Sequence, residues 1–146
     1  MSEPRKRVAF VCTNYNMQSA FGLLILALNS ARLGYETLIY FTFEGLRMIR
    51  PGGMNVLRYV SAENAGDLGE ADRATAKLRE TMDRKDIPFV EDMLEMAQLE
   101  GVRYLACKTS ADLFDLGAGD FIEGVEIMVA EEFMKKATES NLHMVF

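Results

Sequence analysis

Two sulfurs and one imidazole carry most of the reactive chemistry available to this sequence. Cys107 lies in "VRYLACKTSADL", where an apolar run gives way to a polar turn. A thiol at a strand end, directly before a helix, meets the free N–H groups of the first helical turn. Those groups favour the thiolate, the nucleophilic form. Here the donors would be the N–H groups of Thr109 and Ser110, and Lys108 adds a positive charge next to the sulfur. The competing reading is a buried cysteine used as a small hydrophobe. Cys12 ends another apolar run, "RVAFVC", but "TNYN" follows it rather than a clear helix start, which favours a core role. His143, the single histidine, sits inside the apolar "LHMVF" and reads as structural.

Other chemistries are poorly represented. No CxxC occurs, and no Cys and His cluster at metal-ligand spacing, so neither a metal nor an organic cofactor is expected. "CTNYNMQSAFG" contains neither GxGxxG nor a P-loop. Glu44 follows "FTF" and could serve as an acid, a base or a helix N-terminal carboxylate, with the last preferred. Net charge is −6 over 146 residues, which argues against a phosphate backbone as partner. The short "PRKR" reads as a solvated terminal tail.

The elements that must hold these residues alternate between strand and helix. Strands are expected over 7–13, 35–43, 102–107, 125–129 and 142–146. Helices are expected over 17–33, 70–83, 88–100, 109–116 and 130–139, with one helical turn in "EGLRMI". Gly34 and Gly101 stop two of the helices. Residues 50–69 read as irregular but carry Met54, Val56, Leu57, Tyr59 and Val60, so they must pack on something. The pattern implies one α/β domain over 1–146, a three-layer α/β/α fold with a mostly parallel sheet of about five strands.

In such sheets chemistry gathers at the carboxyl ends of the strands. Cys12, Cys107, Asn14 and Glu44 all fall on that edge, the last two as expected pocket walls. Ser110 and Asp112 are expected to cap and orient the helix after Cys107. The run "AFGLLILAL" is apolar around nearly the whole helix, so a second subunit is expected to cover its outer side. Nine residues cannot span a bilayer, and "VAFVC" is too short for a signal-peptide core. Two cysteines without an export signal fit reduced thiols in the cytoplasm.

Read together, these stretches resemble the DsrE/DsrF-like family of small sulfur-relay proteins, which includes TusD-like subunits. "RVAFVCTNYNMQSAFGLLILALNSARLGYE" resembles the family's first strand and long helix. "LIYFTFEGL" is similar to the "FFTFWGL" of one branch, with Glu44 in place of the aromatic residue. "IPFVEDMLEMAQLEGVRYLACKTSADL" resembles the helix, strand and active cysteine turn, and "FIEGVEI" the approach to the fourth strand. In that branch the turn often reads C-x-M-S-M-D. Cys107, Ser110 and Asp112 match, whereas Lys108, Thr109 and Ala111 differ, and "EIMVAEE" lacks a small-residue pair often found near that point. Residues of about 50–86 lie outside the resemblance and form an insertion.

The resemblance implies a sulfur carrier with a persulfide on Cys107, passed to a partner thiol, in a homo-oligomer such as a trimer or hexamer. Donor and acceptor proteins would be its partners. Two other readings stay open: a non-catalytic oligomeric binding or scaffold module of the same fold, and a redox protein pairing Cys12 with Cys107.

Overall fold

Near-continuous apolar runs make the central strands, because a parallel sheet is covered on both faces. The computed structural model describes residues 3–146. Five strands, β1 (Arg7–Cys12), β2 (Glu36–Phe41), β3 (Arg103–Cys107), β4 (Glu126–Met128) and β5 (Leu142–Val145), form one sheet in the order β4-β3-β2-β1-β5. Every pairing is parallel. The fold is a three-layer α/β/α arrangement, as the alternation of elements implies.

Strand alternation sorts the core into two unequal parts. Val8, Phe10, Cys12, Ile39, Phe41, Tyr104 and Ala106 face a large cluster built with α1 (Met17–Arg32) and α3 (Val90–Leu99). Ala9, Leu38, Tyr40, Leu105 and Cys107 face the other way, where Met128 and Phe133 complete a much smaller cluster. Phe133 belongs to α5 (Ala130–Thr138), the helix on that face.

Local chemistry sets the helix ends. The Asn16 side chain accepts the Ser19 N–H at 2.8 Å and starts α1, and Gly34, at φ 87°, ends it. Asp67 does the same for α2 (Leu68–Arg84) through the Glu70 N–H at 3.1 Å. Between β2 and α2 the chain is less irregular than its composition suggests. Two 3-10 segments, Phe43–Ile49 and Gly53–Val56, replace the single expected turn. Gly45 is required in the first of them: a Cβ there would lie 2.2 Å from the Cys12 carbonyl oxygen.

The 57–87 region returns against α1 and supplies cover from within the chain. Tyr59, Leu78 and Met82 close over Met17 and Phe21, leaving an apolar crevice of about 320 Å³ between α1 and α2. Arg58 and Val60 are tied to α1 by hydrogen bonds to the Met17 N–H (2.8 Å) and to Gln18. Part of the outer side of this helix is therefore covered by its own chain, while the large apolar side chains of Ile25 and Leu26 remain exposed.

Candidate functional site

The carboxyl end of β3 delivers Cys107 to the start of α4 (Lys108–Leu113), a single six-residue helix that begins directly after the sulfur. Helix α4 is shorter than the expected 109–116, because Phe114 leaves the helix and Asp115 turns left-handed at φ 55°. So brief a helix has a small dipole, and the environment of the sulfur rests on individual donors. The Ser110 hydroxyl, the Tyr40 phenol and the N–H groups of Ser110 and Thr109 are the hydrogen-bonding groups around the sulfur that favour its charged form. Burial opposes the charged form most strongly, yet these hydrogen bonds together outweigh it and hold the Cys107 thiol below its ordinary value.

Tyr40 is the contributor that the sequence reading missed. It is buried on β2, on the same face of the sheet as Cys107. Its ring stacks on Phe133 with centroids 4.2 Å apart and planes 4° from parallel. Its hydroxyl donates to the Met128 carbonyl at 2.9 Å, and Met128 is the register partner of Cys107 on β4. Burial, followed by the nearby Cys107 sulfur, raises the phenol above its usual range. In sequence, Tyr40 is one aromatic among several in "LIYFTF". The signal that could have found it is period-2 alternation: Leu38 and Tyr40 share one face, as do Leu105 and Cys107.

The remaining expected site residues divide into three groups. Thr109 and Ser110 are at the sulfur. Lys108 and Asp112 are not: the Lys108 ammonium grips the Asp112 carboxylate at 2.5 and 2.6 Å on the exposed side of α4. Asp112 therefore ties down the outer surface of α4 rather than capping its first turn. Asn14 belongs with the other cysteine, since its carbonyl accepts from Cys12 Sγ at 3.4 Å. Glu44 is bound to Arg47 at 3.3 Å and lines a cleft with Phe43, Arg47, Arg50 and Phe114.

Cys12 offers a direct contrast. It has no exposure, touches the Met48 sulfur at 3.7 Å, and burial pushes its thiol up to about 11. Cys107 retains 7% exposure. The two cannot form a disulfide in this fold. They lie on opposite faces of the sheet, on β1 and β3, which β2 separates. Two strand spacings of about 4.8 Å put the chains about 9.6 Å apart, beyond the range of about 4.4–6.8 Å for bridged Cα atoms. The paired-cysteine redox reading is thus excluded by topology. His143 contacts the Ala137 carbonyl on an exposed edge strand. Among the described residues, no group of three or more His, Cys, Asp or Glu is placed to hold a metal ion.

Comparison with known proteins places the fold in a lineage. The model of the DsrE/DsrF/DrsH-like family matches residues 4–145. The chain belongs to that family. This DsrE/DsrF/DrsH-like protein is 29% identical over 153 aligned positions to the sulfur carrier protein DsrE2 of Allochromatium vinosum, covering 94% of the present chain and 96% of that one. It is 20% identical to the uncharacterized protein YrkE of Bacillus subtilis, covering 99% of both.

Among solved structures, the ychN protein of E. coli superposes with a TM-score of 0.63 at 16% identity, covering 97% of this chain and 99% of that one. MTH1491 of Methanobacterium thermoautotrophicum, a protein of unknown function, gives 0.55 at 16% identity, covering 95% and 98%. At such identities the two structures speak for the fold alone. No helix among the described residues is long and apolar enough to cross a membrane.

Proposed function

We propose that this protein is a sulfur carrier that holds a persulfide on Cys107 and passes it to a partner's thiol. In loading, the Cys107 thiolate attacks the terminal sulfur of a persulfide R–S–SH. A new S–S bond forms, the old one breaks, and R–S⁻ leaves with the electron pair. Unloading repeats the step in reverse sense: a partner thiolate attacks the outer sulfur of Cys107–S–SH, and the Cys107 thiolate is the leaving group. Sulfane sulfur moves without any net oxidant or reductant. The same donors serve twice, since the anion they stabilise is the nucleophile in one step and the leaving group in the other.

The observation that carries this reading is the pairing of a thiol held below its ordinary value with a slight opening to solvent, in a chain related to a named sulfur carrier. A scaffold module would have no use for donors converging on a sulfur. Incubation with polysulfide, followed by intact-protein and peptide mass spectrometry, tests it. The carrier gains one sulfur atom on Cys107, and Cys107→Ser gains none while keeping its fold. A wild-type chain that gains no sulfur would refute the carrier and favour the module. The thiols fit a reducing compartment such as the cytoplasm.

Self-association belongs to the same reading. The α5 face of the sheet is thinly covered, and Val129, Met134, Leu142 and Val145 leave apolar surface exposed around it. A groove of about 270 Å³ runs between α5 and β5, lined almost wholly by apolar groups. A second copy of the chain would complete the missing part of this layer.

A further inference from the structure

Tyr40 is held at both ends by one short stretch of chain. Its hydroxyl donates to the carbonyl of Met128 at 2.9 Å, and its ring stacks on Phe133 of α5 with centroids 4.2 Å apart. Only Val129 and the first turn of α5 separate the two contacts. Met128 is also the register partner of Cys107 on β4, so the carbonyl that takes the phenol proton lies level with the sulfur in the sheet.

Strand register shows what this asks of the tyrosine. Tyr40 pairs with Leu105 across β2 and β3, and Cys107 lies two residues further along the same face. Strands about 4.8 Å apart, with a rise of about 3.3 Å per residue, put the Tyr40 and Cys107 Cα atoms about 8 Å from each other. A long side chain leaning along the sheet crosses that gap, and one standing straight off the sheet does not. The bond to Met128 shows that Tyr40 leans this way. A neighbour stacked on its face keeps it there. Tyr40 and Phe133 are both buried, with ring planes 4° from parallel.

Phe133 in turn anchors the near half of α5. Among the described residues it is the one buried member of that helix. Val129, at the N-cap, gives the first turn no side-chain hydrogen bond. The far end is tied separately, by Arg7, which donates to the Lys136 carbonyl at 3.1 Å. The stack on Tyr40 thus joins the start of α5 to the sheet.

We propose that Phe133 is a positioning residue for Cys107: by clamping the Tyr40 ring it aims the phenol at the sulfur, and the seating of α5 thereby sets the reactivity of that sulfur. Phe133 acts through Tyr40, since its own side chain has no polar atom to offer. Its use in sulfur transfer rests on the carrier reading above.

A double-variant cycle tests the assignment. Iodoacetamide labelling of Cys107 is followed across pH in the wild-type chain, Phe133→Leu, Tyr40→Phe and the combined variant. Phe133→Leu keeps an apolar side chain and removes the ring face. Its labelling near pH 7 is expected to fall about two- to five-fold, a part of what one hydrogen bond contributes, with the profile displaced to higher pH. With Tyr40→Phe already in place, Phe133→Leu is expected to change nothing further. Phe133→Met, whose side chain adapts more freely to the space, is expected to match Phe133→Leu and replaces it if that variant folds poorly.

A lowered denaturant midpoint with an unmoved labelling profile makes Phe133 packing alone and overturns the proposal. Equal displacements by Phe133→Leu with and without the Tyr40 hydroxyl overturn it too, as does an unshifted profile in Tyr40→Phe. Sulfur loading from polysulfide is measured alongside. A wild-type chain that takes no sulfur, while the labelling cycle behaves as expected, refutes the carrier and leaves the positioning of Cys107 by Phe133 standing.

Discussion

Tyr40 and Cys107 share one face of the sheet on adjacent strands, and a single phenol proton serves two acceptors there. The hydroxyl donates to the Met128 carbonyl at 2.9 Å, and the Cys107 sulfur, held on the same face, is lowered in part by hydrogen bonding from the same phenol. Stacking on Phe133 fixes the ring, so a change of acceptor falls to rotation of the hydroxyl rather than of the ring. A thiolate, being the stronger acceptor, draws the proton from the carbonyl.

Tyr40→Phe keeps the ring and removes that donor. The Cys107 alkylation profile should move to higher pH, and its rate near pH 7 should fall about three- to ten-fold, the worth of one such hydrogen bond. Rates of iodoacetamide labelling across pH give the result. An unshifted profile would show that the phenol does not act on the sulfur. Loss of the Met128 partner should cost only about 1 kcal/mol of stability, read by denaturant unfolding.

In the native protein Cys107 should label well before Cys12. Cys12 is wholly buried and its thiol is pushed up to about 11, whereas Cys107 is lowered and slightly open. Labelling of Cys12 should therefore track unfolding. Equal native rates at the two positions, counted by peptide mass spectrometry, would contradict the geometry.

The two thiols should also tilt stability in opposite directions with pH. Cys107 has a folded value below the ordinary 9.0, so the unfolded chain holds more protons between the two values and stability rises with pH across that window. Acidification through the folded value removes the contribution. Cys12 has a folded value raised from 9.0 to about 11, so its contribution is complete below 9.0 and is lost as pH climbs through 11. Denaturant midpoints measured in pH steps should show the rise flattened in Cys107→Ser, while the alkaline fall persists.

Gly45→Ala should destabilise strongly for a residue of its size. The added Cβ would lie 2.2 Å from the Cys12 carbonyl oxygen, a backbone atom that also accepts the Thr42 N–H at 2.9 Å. Overpacking of this kind costs about 1–3 kcal/mol. A thermal midpoint equal to wild type would mean that the 43–49 segment can slide away from β1.

Assembly can be checked by light scattering. The wild-type chain should exceed the mass of one copy, and Val145→Lys combined with Met134→Lys, on the exposed apolar side of β5 and α5, should return it to a monomer. A wild-type monomer at micromolar concentration would remove the self-association proposal.

The sheet, its helices and the position of Cys107 at a strand end were legible because apolar runs bounded by Gly34, Gly101 and polar turns leave few alternatives. Tyr40 was not legible as part of the site, because its role depends on strand register across β2 and β3, which no local pattern encodes. The cover that the chain itself gives α1 was hidden for a related reason. Tyr59, Leu78 and Met82 look scattered in sequence, and only the return of 57–87 against α1 brings them together. The pairing of Lys108 with Asp112 was readable from their four-residue spacing, yet their proximity to Cys107 drew attention to the sulfur instead.

The placement of the two cysteines on opposite sides of β2 bears on how the protein meets oxidants. A Cys107 oxidised to sulfenic acid has no thiol of its own chain close enough to condense with it. Reversal must come from outside, from a free thiol or from another protein's cysteine, and without one the sulfur proceeds to the irreversible sulfinic and sulfonic acids. In the proposed carrier role, a persulfide on Cys107 would double as protection, because further oxidation would fall first on the outer sulfur and the cysteine would return intact once reductant cleaved the S–S bond.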